Sequence, residues 1–295
     1  MFKKIKKAIS LIERKIIKLF LNEKRAKKFI SKISDIFNIN LLTFAYRQIG
    51  IENCDDEGEL SGEKYLLNIF LVDFFSRLNK NNLVIFDVGA NIGDYSFQLV
   101  SIFPASTIYS FEPNPTTYKN FLSKNHYSNI NIYEMGLGSE RSNKKLYSDG
   151  VLSQKATVIS DIYKYIHKEV KDIIEYEIKI DTIDNFCKDN SIEKINFLKI
   201  DTEGLEYEIL KGANNIIRNK NIDIIQFEFN SMNVSSRVFL IDFYILLDNY
   251  LFFRLNSNNL IPMLDYTVDN EIFKFQNIIA INKNHENILK EMKIL

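Results

Sequence analysis

From residue 83 onward, short apolar runs alternate with segments of helical periodicity, and this alternation constrains the fold more than any other feature. The runs LVIFDVG (83–89), INFLKID (195–201) and DIIQFEF (223–229) are mostly apolar, as in strands that are buried on both faces. Strands that are joined through helices by short connections form parallel, right-handed crossovers. The pattern therefore predicts an α/β fold with a doubly wound, mostly parallel sheet.

The remaining predicted elements extend this order to the end of the chain. Further strands are predicted at 106–113, 129–138, 174–180, 250–255 and 275–281. Polar and apolar residues alternate in IEYEIKI (174–180), which indicates an edge strand. Helices are predicted at 63–78, 95–103, 115–125, 205–217 and 238–247.

Charge is distributed unevenly along the 295 residues, although the formal net charge is zero. Residues 1–34 hold twelve Lys or Arg and two acids, a charge of +10, and the rest of the chain carries −10. The polar, acidic segment IENCDDEGELSG (51–62) is the best boundary between the two parts. We therefore predict a basic amphipathic helical extension with its linker at 1–62 and one globular domain at 63–295.

An apolar stripe at helical spacing runs along the basic extension. It consists of Phe2, Ile5, Ile9, Ile12, Ile16 and Leu19. Such a helix can pack on the protein's own body, pair with a partner helix in a homo-oligomer, or lie on an anionic membrane surface through residues 1–34. No nucleic-acid partner is expected, because neither interleaved aromatic residues nor a binding motif accompanies the charge.

The sequence favours a cytoplasmic location, or one peripheral to the inner face of the membrane. No run approaches the roughly 18 apolar residues of a membrane span, and the basic N-terminus lacks the features of a signal peptide. Cys54 and Cys187 form neither a metal-binding spacing nor a disulfide framework, so a reducing compartment is expected.

The segment DVGANIGDYS (87–96) ends the first core strand and opens a helix. Ligands bind at this carboxyl edge of open α/β sheets. Gly89 and Gly93 permit the backbone to bend and approach a ligand, and the amides of a helix N-terminus favour an anionic group. The alternative is a tight turn without a ligand.

Glu112 ends the second strand, in FEPNP (111–115). An acid at this position can accept hydrogen bonds from both hydroxyls of a ribose, although a solvated acid at a strand end is the simpler alternative. The dinucleotide fingerprint G-x-G-x-x-G is incomplete, because Asn91 stands where its second glycine is required. A nicotinamide cofactor is therefore disfavoured.

These motifs, in this order, resemble the FkbM family of S-adenosylmethionine-dependent methyltransferases. The matching segments are DVGANIG (87–93), FEPNP (111–115), GLGSE (136–140), IDTIDNF (180–186), LKIDTEGLEYEILKGA (198–213) and IIQFEFN (224–230). The resemblance implies a class I methyltransferase domain with a seven-stranded, Rossmann-like sheet and S-adenosyl-L-methionine as the cofactor. In many members it also implies O-methylation of a sugar or of another hydroxyl-bearing product.

The resemblance further implies which residues bind the cofactor. They are Asp87, Gly89, Ala90, Asn91, Gly93, Glu112, Pro113, Met135 and Gly136. The first five match the turn around the methionine moiety, Glu112 matches the ribose-binding acid, and Met135 and Gly136 match the region that flanks the adenine. An acidic or amide residue for the adenine amino group is not obvious there.

Three carboxylates are the candidate catalytic residues, in the order Glu203, Glu228, Asp201. Asp201 and Glu203 follow Lys199 in KIDTEG (199–204), and Glu228 lies near the end of an otherwise apolar strand, where it needs a partner. They could orient the acceptor hydroxyl, take its proton, or bind a divalent metal through oxygen. Glu203 alternatively serves as an ordinary acid at a helix start.

The insertion Ser148–Asp172 is predicted to be a lid or an acceptor site. Ser153 lies where family members often have a serine-containing stretch, and His167 is an alternative base, although a surface position on a helix explains it better. The sequence thus predicts an O-methyltransferase that acts on a hydroxyl of a sugar, surface glycan or glycolipid. Two alternatives stay open: a degenerate methyltransferase-fold scaffold that docks through its basic helix, and a nicotinamide-dependent oxidoreductase.

Overall fold

The computed structural model describes residues 22–54, 60–150, 156–170 and 172–295. The chain divides into two compact units, residues 1–48 and 49–295. The predicted apolar stripe from Phe2 to Leu19 lies outside the described residues, as does Ser153.

The smaller unit contains, in its described part, the helices α1 (Glu23–Phe37) and α2 (Leu41–Gln48). The Asn22 side chain caps α1 by accepting a hydrogen bond from the Arg25 amide, and Asn38 ends the helix in the left-handed conformation. No helix among the described residues is both long and apolar enough to cross a bilayer.

The larger unit is built around one large sheet. In chain order, the strands are β1 (Val84–Val88), β2 (Thr107–Phe111), β3 (Ile130–Tyr133), β4 (Gly136–Leu137), β5 (Ser142–Ser148), β6 (Ile174–Asp181), β7 (Ile195–Ile200), β8 (Ile222–Phe229), β9 (Tyr250–Asn256), β10 (Asn259–Pro262) and β11 (Gln276–Asn282). The main sheet has the order β10-β9-β11-β8-β7-β1-β2-β3. Its strands are parallel from β8 to β3, and β11, β9 and β10 pair antiparallel. This confirms the predicted α/β, mostly parallel, Rossmann-like fold.

The prediction of seven strands is wrong, because the main sheet has eight. The additional strand, β10, forms a hairpin with β9 in which Asn259 lies opposite Asn256. Ser257 and Asn258 make the two-residue turn between them. The strand is only four residues long, so its sequence shows no clear periodicity. Pro262 is tolerated because β10 lies at the sheet edge.

A second sheet has three strands in the order β4-β6-β5. IEYEIKI (174–180) is therefore the central strand of a small sheet and not an edge strand. Its alternation arises because one face is apolar, where Ile178 and Ile180 pack with Leu146. The predicted strand at 129–138 is divided between the two sheets, with β3 in the main sheet and β4 in the small one.

Helices cover both faces of the main sheet. They are α3 (Glu63–Tyr65), which continues through a π-helical turn (Leu66–Phe70) into α4 (Leu71–Arg77), then α5 (Asp94–Ile102), α6 (Pro115–Lys124), α7 (Ser160–Tyr165), α8 (Ile183–Asp189), α9 (Glu206–Lys211), α10 (Asn214–Arg218), α11 (Met232–Ser236), α12 (Leu240–Leu246) and α13 (Glu286–Glu291). One face of β1 packs Ile85 in a cluster with residues of α4 and α5. The opposite face packs Phe86 with residues of α8, α9 and α12. Burial on both faces explains why the core strands are almost continuously apolar.

Part of the predicted linker packs on the larger unit. A side chain at Gly50 or Gly62 would meet the carbonyl oxygens of Leu255 or Asn256 on β9 at 2.4 and 2.2 Å. Both glycines have positive φ angles, which other residues adopt rarely. The backbone at Gly50 and Gly62 therefore packs directly on β9, and Gly62 stands at the start of α3.

Candidate functional site

The turn between β1 and α5 is held by its own hydrogen bonds. The amides of Gly89 and Ala90 both donate to the Phe111 carbonyl at 3.0 Å. The Asn91 amide donates to Glu112 Oε2 at 2.9 Å, and the Asn91 side chain accepts from the Ile92 amide at 2.7 Å. The turn is thereby formed in advance of any ligand.

The two glycines of this turn are required by close packing inside the protein. A Cβ atom at Gly89 would lie 1.8 Å from the Asp201 carbonyl oxygen, and one at Gly93 would lie 2.1 Å from the Phe121 ring. Their φ angles of +80° and +90° also favour glycine. Gly89 thus lets the end of β1 pack against the backbone of Asp201, the residue that follows β7.

Glu112 is 6% exposed and uses both carboxylate oxygens in hydrogen bonds. Oε2 accepts from the Asn91 amide, and Oε1 accepts from the Asn114 amide at 2.8 Å. Burial raises the pKa of Glu112 to about 7, although the two amides oppose this shift. Each carboxylate oxygen has two lone pairs, so further donors can still bind.

A cavity of about 600 Å³, counting its open mouth, lies at the carboxyl ends of β1, β2 and β7. The predicted site residues that line it are Gly89, Asn91, Glu112, Pro113, Gly136, Asp201 and Glu203. The others, which lie outside its lining, are Asp87, Ala90, Gly93, Met135 and Glu228.

The small sheet and part of the insertion form the opposite wall of this cavity. Its apolar lining there consists of Leu137, Leu146, Ala156, Val158, Ile178 and Ile180. Thr157 Oγ1 donates a hydrogen bond of 2.9 Å to the Glu203 carbonyl, which joins the insertion to the segment after β7. Sequence reasoning expected a lid here but did not identify Thr157.

A row of polar side chains crosses the main sheet beside the cavity. In the strand register, Asp87 lies opposite both Ser110 and Lys199, and Lys199 lies opposite Gln226. Ser96 on α5 donates to Asp87 at 2.6 Å and contacts Ser110 at 2.8 Å. Asp87 is fully buried within the sheet and accepts the hydrogen bond from Ser96 there.

The three predicted catalytic carboxylates occupy different environments. Asp201 forms an ion pair with Lys199 at 3.0 Å. Glu203 has a left-handed φ of 55°, which is uncommon outside glycine. Glu228 accepts a hydrogen bond from the Asn230 amide group. Burial raises the pKa of Glu228 well above its usual value, and the neighbouring Asp201 and Glu203 raise it further.

Three polar residues that sequence reasoning missed lie next to these carboxylates. Gln226 donates to Glu63 Oε1 at 3.0 Å and to Asn277 at 3.2 Å, and it accepts from the Tyr95 hydroxyl at 2.6 Å. The signal for Gln226 was present, because it interrupts an apolar strand as Glu228 does. Glu63 and Tyr95 carry no such signal, since an acid is common in the first turn of a helix and Tyr95 fits the helical pattern that it begins.

Metal binding has no support in the part of the chain described here. Within it, no three His, Cys, Asp or Glu side chains are grouped so as to hold an ion. His167 lies 3.8 Å from Glu169 in the insertion and is absent from the cavity lining.

The cavity fits S-adenosylmethionine in the chemistry of its groups. Glu112 offers carboxylate oxygens for ribose hydroxyls beside the turn at Gly89. Asp201 and Glu203 add anionic oxygens suited to a cationic ligand, and Leu137, Ile178 and Ile180 offer an apolar surface suited to an aromatic base.

Comparison with known proteins finds similarity to methyltransferases. Methyltransferase 1 from Beauveria bassiana is 24% identical over 185 residues, which cover 57% of this chain and 66% of that protein. Hexuronic acid methyltransferase AglP from Haloferax volcanii is 25% identical over 170 residues, 57% of this chain and 63% of that protein. The matched region thus spans slightly less than two thirds of either relative.

Among solved structures, methyltransferase FkbM from Methylobacillus flagellatus covers 68% of this chain and 44% of that chain, with 15% identity and a TM-score of 0.40. The profile of the methyltransferase FkbM domain matches residues 87–254, more than half of the chain. That match begins at Asp87 in the glycine turn and includes Glu112, the segment 199–204 and Glu228. By this match the chain belongs to the FkbM family of methyltransferases.

Proposed function

We propose that the protein is an S-adenosylmethionine-dependent O-methyltransferase of EC class 2.1.1. The observation that carries the proposal is that one cavity is lined by the glycine turn, by Glu112 and by Asp201 with Glu203. In this proposal, Glu112 is the acid for the ribose, and Asp201 and Glu203 are the carboxylates for the reacting end, at one ligand-binding edge. Membership of the FkbM family supports the same reaction.

In this proposal, different residues of the chain bind different parts of the donor. Glu112 would accept the ribose hydroxyls, and the turn from Gly89 to Gly93 would hold the methionine part. Pro113 and Gly136 line the cavity beside Glu112, on the side proposed for the adenine. S-adenosylmethionine, when bound, supplies an electrophilic methyl group on a sulfonium.

The acceptor end is proposed at the carboxyl ends of β7 and β8. Glu203 is the proposed base that takes the proton from the acceptor hydroxyl, because it lines the cavity and its backbone is held by Thr157. Asp201 would orient the hydroxyl. Glu228 stays a weaker candidate base, because it does not line the cavity and because burial raises its pKa well above the usual value.

A sugar or glycan hydroxyl is the proposed acceptor. A relative that is 25% identical to this chain is a hexuronic acid methyltransferase, which supports a sugar acceptor. Hydroxyl groups are weak acids, so a carboxylate positioned to remove the proton contributes directly to the rate.

Calorimetry with S-adenosylmethionine and S-adenosylhomocysteine tests donor binding, and mass spectrometry of a panel of glycosides tests methyl transfer. We expect Glu203→Gln to retain donor binding and to lower turnover about 100-fold or more. The conservative variant Glu140→Gln, at an exposed position, serves as the control. Absence of donor binding at millimolar concentration would sink the proposal. Donor binding without turnover would favour a degenerate scaffold, and quenching of NADH fluorescence would favour an oxidoreductase.

We further propose that the basic extension places the enzyme on an anionic membrane surface. Residues 1–34 carry a charge of +10, and anionic headgroups attract such a segment. The full chain and residues 40–295 should differ in sedimentation with phosphatidylserine vesicles, and added salt should reduce the difference. Equal sedimentation of the two proteins would exclude this role.

A further inference from the structure

A second open surface lies at the carboxyl edge of the main sheet, outside the lining of the cavity at β1, β2 and β7. It consists of two adjoining cavities that share Val234 and Arg237. We call this surface the Arg237 groove and define it by Tyr165, Ser231, Val234, Arg237, Phe239 and Phe273. The segment 231–239 follows β8, and Phe273 comes shortly before β11, whose first residue pairs with the last residue of β8. Both segments therefore lie at the carboxyl end of β8.

The Arg237 groove begins beside the proposed acceptor end. Gly204 directly follows Glu203, and a Cβ atom on Gly204 would lie 3.1 Å from Met232 Cβ on α11 and 3.4 Å from Ile162 Cδ1 on α7. The same two helices contribute residues to the groove. An acceptor whose hydroxyl lies at Glu203 would therefore extend over the groove.

Arg237 brings a positive charge to the groove that the protein itself does not neutralise. Its side chain is exposed and forms no ion pair or hydrogen bond within the described part of the chain. The neighbouring acids are engaged elsewhere, since Asp242 accepts from the Phe239 amide at 2.8 Å and Glu271 accepts from two amides at the start of α12. Asp161 lines one of the two cavities and lies in the first turn of α7, where an acid is favoured. The guanidinium is therefore available to a ligand.

Exposed aromatic side chains and a second cation flank the guanidinium. Tyr165 is 57% exposed and Phe239 is 51% exposed, and together with Val234 they form an apolar patch that marks an interaction site. Lys164 lies 4.8 Å from the centre of the Tyr165 ring and adds a positive charge beside the groove.

These side chains match the chemistry of an acidic sugar. The C–H faces of a sugar ring pack on aromatic side chains, and its hydroxyl groups bond to polar ones. A carboxylate or sulfate on the ring pairs with the planar guanidinium through two parallel hydrogen bonds. A neutral sugar or an uncharged lipid chain would contact the apolar side chains and leave the guanidinium unpaired.

We propose that the Arg237 groove binds an acidic sugar unit of an oligosaccharide acceptor, and that Arg237 determines this specificity by pairing with the carboxylate or sulfate of that unit. The inference rests on the proposed function, because it places the acidic unit next to the hydroxyl that is methylated. Specificity arises here as a difference between the affinities for a charged acceptor and for its uncharged counterpart.

Calorimetry with matched oligosaccharides tests this specificity in the full chain without any turnover. The probes are oligomers of galacturonate, glucuronate and mannuronate, each beside its uncharged methyl ester, and a sulfated galactan oligomer beside its desulfated form. We expect at least one acidic oligomer to bind about tenfold or more tightly than its uncharged counterpart. Arg237→Met should remove this preference, and Arg237→Lys should keep part of it. The series that shows the preference identifies the acidic group.

Arg218→Met is the matched control, because Arg218 is an exposed arginine at the end of α10, before β8 begins. It should leave the preference unchanged. Residues 1–34 also attract acidic oligomers, but every variant retains them, so binding there would survive in Arg237→Met and would overturn the proposal. A wild type that prefers none of the acidic oligomers would overturn it as well.

Methyl transfer supplies a second readout. With an acidic acceptor, Arg237→Met should raise KM about tenfold or more and change kcat little, whereas with the uncharged acceptor the variant should match the wild type. Affinity for S-adenosylhomocysteine should stay unchanged, because Arg237 is absent from the lining of the cavity at Glu112. Equal losses with both acceptors would show a structural role and contradict the proposal. If the wild type transfers no methyl group, oligosaccharide binding still decides, and the failure belongs to the proposed function alone.

Discussion

A Cβ atom on Gly212 would lie 2.0 Å from the carbonyl oxygen of Gly138, so these two glycines pack backbone against backbone. They come from two segments that resemble the FkbM family, GLGSE (136–140) and LKGA (210–213). A third segment joins them, because the Gly138 amide donates to the Asp181 carbonyl and the Asp184 amide donates to the Gly212 carbonyl. These motifs are therefore a packing unit that supports the cavity wall at Gly136 and Leu137.

Gly212→Ala tests this packing unit. The φ of Gly212 is −74°, which any residue adopts, so the added methyl group acts only by steric overlap with Gly138. We expect a loss of about 1–3 kcal/mol in the free energy of unfolding, measured with urea. Gly150→Ala is the control, because nothing lies within 4 Å of the added atom. Equal stability of both variants would contradict the close contact.

Donor binding should depend on pH through Glu112. The pKa of this residue is raised to about 7 by burial, and the ionised form is the better acceptor for ribose hydroxyls. Affinity for S-adenosylhomocysteine should therefore increase from about pH 6 to about pH 8 in calorimetry. Glu112→Gln should bind at least tenfold more weakly, with no such increase. A wild-type affinity that is flat over this range would refute the assignment.

The same shift in Glu112 affects stability with a defined sign. Because the folded-state pKa of about 7 exceeds the ordinary value of 4.5, the folded protein binds the proton more tightly than the unfolded chain. The stabilisation of the fold by this tighter proton binding is complete below pH 4.5 and is lost as the pH rises through about 7. Urea unfolding at several pH values should show this decline in the wild type and not in Glu112→Gln.

Thr157→Val should loosen the insertion from the site. The substitution removes the 2.9 Å hydrogen bond to the Glu203 carbonyl and the acceptor for the Ile159 amide. Hydrogen exchange should become faster in residues 156–162, and donor-product affinity should fall by about 2- to 10-fold, the equivalent of one hydrogen bond. Thr157→Ser keeps the hydroxyl and should behave as the wild type. Exchange rates that match in all three proteins would show that this bond does not hold the insertion.

The free energy of unfolding should also depend on acid pH through Asp223, which lies at the other end of the sheet. Burial by itself would raise the pKa of Asp223, but hydrogen bonds from His285, Lys194 and Asn196 outweigh it and lower the pKa. A depressed carboxyl pKa stabilises the fold above the unfolded-state value of 3.8, and this stabilisation is lost as the pH falls through the folded-state value.

Asp223→Asn tests this linkage. The variant should lose about 1–3 kcal/mol at pH 7, because the buried carboxylate loses its charge-assisted hydrogen bonds with His285, Lys194 and Asn196. It should also show a shallower decline in stability below pH 4 than the wild type, as measured by urea unfolding. Asp269→Asn, at an exposed position, provides the control. Parallel pH curves for Asp223→Asn and the wild type would exclude the linkage.

The order of strands and helices could be predicted because each core strand is buried on two faces and therefore stands out as an apolar run between helical segments. The same reasoning placed Gly89, Glu112, Asp201 and Glu203 at one edge, since the carboxyl ends of parallel strands meet there. Strand β10 and the division of 129–138 could not be predicted. Both depend on pairing partners that are distant in sequence, and short strands carry little periodicity of their own.

By itself, the sequence determined the doubly wound sheet, the family and the carboxylates at the ligand edge, because these follow from local periodicity and short motifs. Only the tertiary structure decided that Gly93 packs on Phe121, that Gly212 packs on Gly138, and that Lys199 is shared by Asp87 and Asp201. The physical reason is that steric contacts and charge pairs are set by distances across strands and helices. Glu63 illustrates this most clearly, since it reaches Gln226 from 163 positions away along the chain.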